Sequence, residues 1–177
     1  KVFGIVMEGT LYGFAAVLSA FLLGIALGSF LVAPQVDRIR DLPRAFGWLH
    51  AAIAVAVVLG IRAVPDLPFW TQRFSGLEWI DPLHRLYLLV VPIVLVPTAL
   101  FGAAFPVLVR IVARQAAAAG RGIGVATAVN TAGSILASLV VGFLWIPTLG
   151  MDRSLVILLA LHAGVALLAL AAFQSLR

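Results

Sequence analysis

No cysteine occurs in the chain, which excludes a disulfide framework, a thiolate metal site and a cysteine nucleophile. Charge is scarce: Asp, Glu, Lys and Arg make up 11% of 177 residues, against about 25% in ordinary soluble domains. That is too little polar surface to coat a soluble globule. The seven acidic residues all fall outside the long apolar runs, so no carboxylate is expected deep in a membrane, where a proton-coupled pump normally holds one. The twelve basic residues give a net charge of +5 but are scattered singly and form no stripe, which argues against nucleic acid. No glycine-rich phosphate loop, nucleophile elbow or pair of acids on one helix face is present. The sequence therefore offers no catalytic, cofactor or metal site. No secretory signal is expected either, because Lys1 leads into a short apolar run without a small-residue cleavage site.

What the chain does have is hydrophobic length, with 63% apolar residues and a mean hydropathy of +1.16. A segment of about 20 apolar residues crosses a hydrocarbon core of roughly 30 Å at 1.5 Å per residue. Five segments qualify: Leu11–Ala33, Ala45–Ala63, Leu86–Val109, Val125–Ile146 and Leu155–Phe173. The fold class expected is an all-α integral membrane bundle, one domain over residues 1–177. Before the first span, Val2–Met7 is apolar and Glu8, Gly9 and Thr10 intervene. One helix from Val2 to Ala33 would be about 48 Å long, too long for a bilayer without strong tilt. We read Val2–Met7 as the tail of a preceding helix, Glu8-Gly9-Thr10 as a turn and Thr10 as an N-cap; the alternative is a tilted helix with a frayed start.

Orientation follows from the basic residues on each side. With Leu11 outside, the inner segments carry seven basic residues (Arg38, Arg40, Arg44, Arg110, Arg114, Arg121, Arg177) against two acids, and the outer segments carry five against five. This predicts an external N-terminus and a cytoplasmic C-terminus in a cell membrane, of the bacterial inner-membrane type. Tyr12, Trp70, Trp79, Tyr87 and Trp145 would then lie near the outer interface and Trp48 near the inner one. The connection Val64–Arg85 mixes aromatic and charged residues, which suits either a short interfacial helix or a loop packed over the bundle mouth.

Inside the spans, Ala16, Ala20, Gly24 and Gly28 recur every four residues and flatten one face of the first helix, a stripe suited to close helix packing. A sliding surface in a transporter would use the same geometry. The fourth span carries a polar stripe, Asn130, Thr131, Ser134 and Ser138, which should turn toward the first or third span or toward water. Interhelical hydrogen bonding and a substrate path both fit it. Pro92, Pro97 and Pro106 predict a kinked, even discontinuous, third span. His50, His84 and His162 stand isolated in sequence, and no spacing suggests a shared metal.

Three stretches in order carry a resemblance: Val17-Leu18-Ser19-Ala20-Phe21-Leu22-Leu23-Gly24-Ile25-Ala26-Leu27-Gly28-Ser29, then Leu100-Phe101-Gly102-Ala103-Ala104-Phe105-Pro106, then Asn130-Thr131-Ala132-Gly133-Ser134 leading to Ile146-Pro147-Thr148-Leu149-Gly150. Together they resemble the membrane domain of spermidine-synthase-like fusion proteins, which looks related to the major facilitator superfamily. The resemblance implies a six-helix half lacking its first helix here. It implies a domain that anchors or serves a cytosolic aminopropyltransferase-like partner and handles polyamine-like solutes. The segment from Gly28 through Asp37-Arg38 to Arg44 is similar to the acidic-basic loop of major facilitator proteins, without that loop's full glycine-arginine pattern. Two other readings stand beside it: an accessory subunit of a larger membrane complex, and half of a solute transporter. All three have the lipid bilayer as a partner; the first two add membrane or cytosolic protein subunits, and the transporter half would dimerise.

Overall fold

The computed structural model describes residues 11–73, 82–115 and 119–174. The expected Val2–Met7 helix tail with its Glu8-Gly9-Thr10 turn lies outside the described residues, as do Phe74, Glu78, Trp79 and Asp81 and the side chains of Tyr12, Ala16, His84 and Tyr87. The described chain is helical except at residues 39–41. Helix α1 is Leu11–Val32, α2 is Leu42–Ala63, α3 is Leu67–Arg73, α4 is Pro82–Gln115, α5 is Ala119–Leu139 and α6 is Ile146–Gln174. A 3₁₀ helix, Ala33–Arg38, follows α1, and a π-helical turn, Val140–Trp145, joins α5 to α6. Asp41 caps α2 by accepting a hydrogen bond from the Arg44 amide at 3.1 Å, with a proline in the first turn fixing the entry angle.

Among the described residues, four helical stretches are long and apolar enough to cross a membrane: Val17–Arg38, Leu42–Trp70, Val90–Ala113 and Gly120–Ala171. This corrects the count of five. The expected fourth and fifth spans, Val125–Ile146 and Leu155–Phe173, run on as one 52-residue stretch. Where a loop was expected, the connection between them keeps helical turns on both sides of a break at Gly150. Within Ile146–Gln174 the helical geometry fails at Gly150 alone (φ 82°, ψ 169°). A positive φ of that size is open to glycine and costly for other residues. On either side, Thr148 and Ser154 donate their hydroxyls to the Leu144 and Gly150 carbonyls, holding the chain in helical turns.

Helix α4 is the centre of the bundle, packing against α1, α2 and α5, while α6 packs against α2. Its interior is small: Ile53 and Val107 are fully buried, Leu42 and Val90 nearly so. Large apolar side chains instead cover the outside, among them Phe30 at 76%, Leu168 at 73% and Phe14 at 68% exposure. Water would penalise such a surface at roughly 25 cal/mol per Å² of apolar area, and hydrocarbon would not. The long connection after α2 contains a helix, α3, whose Leu67 is buried against Val90, with Phe69 and Trp70 exposed beside it.

The expectation of a discontinuous third span is also corrected, because α4 is continuous over 34 residues with all three prolines inside it. The reason is local and chemical. Pro106 has no N–H, so the Gly102 carbonyl one turn back loses its helical donor. Ser29, reaching across from α1, donates its hydroxyl to that carbonyl at 2.8 Å. Just past Pro97, the Thr98 hydroxyl donates to the carbonyls of Val94 at 2.8 Å and Leu95 at 3.1 Å. At Pro106, then, a neighbouring helix supplies the donor that the proline lacks, as membrane helices require.

Candidate functional site

The α1–α4 seam is a contact of backbone on backbone. Gly24 and Gly28 are buried, as is Ala20. A methyl group on Gly24 would overlap the Thr98 side chain, one on Gly28 would overlap the Ala99 carbonyl, and one on Gly102 would overlap the Ile25 carbonyl. Three glycines, two on α1 and one on α4, are therefore what lets Ser29 reach Gly102.

A second crossing joins α2 and α6. Gly47 is buried against α6: a Cβ there would stand 2.9 Å from Leu170 Cγ and 3.1 Å from the Ala166 carbonyl oxygen. The helices run antiparallel, so one turn further along α2 and one turn back along α6 place His50 opposite His162. Their Nδ1 atoms are 3.0 Å apart, and the rings stack with centroids 5.2 Å apart and planes 28° apart. Phe46 packs against His50 at 4.5 Å, and Phe101 of α4 meets His162 edge-on at 5.1 Å. Both imidazoles are half-buried. The two histidines read as isolated in sequence are thus one cluster, which the sequence could not reveal because they are 112 positions apart. Among the described residues no group of three or more potential metal ligands occurs, so the pair has no third protein ligand at hand.

Between α2 and α4 lies an apolar groove of about 710 Å³, lined by residues that include Trp48, Ala52, Val55, Leu59, Ile93 and Val96. It offers shape without hydrogen-bonding chemistry. Arg110 Nε of α4 stands 2.7 Å from Asp37 Oδ1, an ion pair joining α4 to the 3₁₀ helix, with the N–H directed off the line to the carboxylate.

The polar stripe of the fourth span sits elsewhere. Gly122 and Ala126 at the start of α5 are buried, but every residue from 127 to 139 is exposed. Asn130 and Ser134 therefore do not turn toward the first or third span within this chain, because α5 has parted from α4 by that point. The Ser134 hydroxyl donates to the Asn130 carbonyl and that of Ser138 to the Ser134 carbonyl, each at 2.9 Å, while Thr131 lies exposed beside them. Those bonds occupy the serines within their own helix and leave the Asn130 carboxamide facing outward. Compared with known proteins, the chain matches no family, no curated relative and no solved structure.

Proposed function

We propose that the chain is a membrane-embedded helical domain that works by packing against further protein, as an anchor or subunit and without a catalytic site of its own. The observation that carries this reading is α5. Thirteen consecutive residues, 127 to 139, are exposed, yet they include the Asn130 carboxamide and the hydroxyls of Thr127, Thr131, Ser134 and Ser138 in an otherwise apolar helix. In hydrocarbon a bare carboxamide costs several kcal/mol, so this face calls for a polar neighbour. Apolar side chains spread over the other helices suit lipid. The ordered motifs of the sequence supply the specific form of the proposal, the membrane part of a spermidine-synthase-like protein serving a cytosolic partner. Handling of polyamine-like solutes would need acceptors other than carboxylates, since the five apolar segments of the sequence contain none.

Absence of native cysteine makes the test direct. Single cysteines at Ser134 and at Phe143, introduced into the full chain, are cross-linked in the native membrane. The reading expects Ser134→Cys to capture a protein in defined stoichiometry and Phe143→Cys to stay uncoupled. Capture by neither, with Ser134→Cys labelled by lipid-soluble reagents, would overturn it.

A further inference from the structure

We infer that His50 and His162 form a one-proton binding site inside the bundle, which holds a single extra proton between α2 and α6 and takes a second only at much higher proton activity. The inference rests on the membrane reading of the bundle and on no assumption about partners. At 3.0 Å the two Nδ1 atoms are at hydrogen-bonding distance. Two neutral imidazoles meet that way only if one presents Nδ1–H and the other an Nδ1 lone pair. The donor ring then carries its own lone pair on Nε2, and the acceptor ring carries its proton on Nε2.

An added proton goes to the free Nε2 of the donor ring. That ring becomes an imidazolium whose Nδ1–H points at the neutral partner, a charge-assisted bond stronger than the neutral one. If the bridging proton crosses to the other Nδ1, the charge crosses with it, and the second ring releases a proton from its own Nε2. One proton enters, one leaves, and the pair ends with donor and acceptor exchanged. A second proton taken up before release would set two Nδ1–H groups face to face with no acceptor between like charges.

The surroundings fit a single charge. Phe46 packs against His50 and Phe101 against His162, so apolar rings flank the pair. Charged residues on the helices packed around the pair are Arg44 and Arg62 on α2, Arg85, Arg110 and Arg114 on α4, and Asp152 and Arg153 on α6, grouped toward helix ends or beside the Gly150 break. The pair thus supplies a protonatable group to apolar segments that contain no carboxylate.

The test uses the full chain with His84→Gln, so that two histidines remain, ring-labelled with ¹⁵N and followed by NMR in lipid nanodiscs from pH about 8 to about 4. The expected result is two protonation steps separated by more than about tenfold in proton activity, the first moving the ring shifts of both histidines together. His162→Phe should reduce this to one step at His50. Two rings titrating independently, with coincident steps, would overturn the inference, and that comparison needs only the two-histidine chain should His162→Phe fail to fold.

Discussion

At the scale of single residues, the closest approaches in the fold are made by what side chains omit. Ser29 matters because Pro106 omits an N–H. Ser29→Ala leaves the Gly102 carbonyl without a donor in an apolar seam and should lower stability by about 1–3 kcal/mol, read as a fall in the melting temperature of the chain in detergent. Cysteine in place of Ser29, a weak donor of similar size, should recover only part of the loss. Gly28→Ala should cost on the order of 1–3 kcal/mol, since the Ala99 carbonyl occupies the methyl's position and backbone cannot move aside cheaply. At Gly150 nothing lies within 4 Å of the place a methyl group would take, so Gly150→Ala tests conformation alone. Its positive φ predicts a loss of about 1–2 kcal/mol. Asp37 is well exposed and Arg110 partly so, and Asp37→Asn should change stability by less than about 1 kcal/mol, and by less still in high salt.

At the scale of elements, α4 and α5 behave oppositely. Helix α4 is served by neighbours on several sides, whereas α5 is exposed at every residue from 127 to 139. Asn130→Leu should therefore leave the melting temperature of the isolated chain nearly unchanged, within about 0.5 kcal/mol, while weakening any association in the native membrane. Val140→Leu should affect neither. Hydropathy made the helical elements legible, because a run such as Leu11 to Val32 has no other stable form in lipid. The four-residue spacing of small residues likewise made a flat face on α1 legible. The continuity of α4 was hidden, since proline removes a donor in the sequence while its remedy, Ser29, comes from another helix. The join across Gly150 was hidden as well. Pro147, Gly150 and Asp152 have the composition of a loop, yet helical turns flank Gly150 on both sides, with the hydroxyls of Thr148 and Ser154 bonded back to carbonyls one turn earlier. The His50–His162 contact depends on the antiparallel pairing of α2 with α6, and no local pattern encodes which helices pair.

At the scale of the whole molecule, a small interior and a broad apolar exterior make sense together only if the solvent is hydrocarbon. The measurement that tests this most directly is the collision rate of nitroxide labels, placed one at a time at Leu22, Val55, Leu88 and Leu168, with molecular oxygen and with a water-soluble nickel chelate. These side chains lie on four different helices and are all exposed. The membrane reading predicts that oxygen relaxes each label in a bilayer far more than the chelate does. Chelate-dominated relaxation at these sites would place the apolar surface in water and contradict the account.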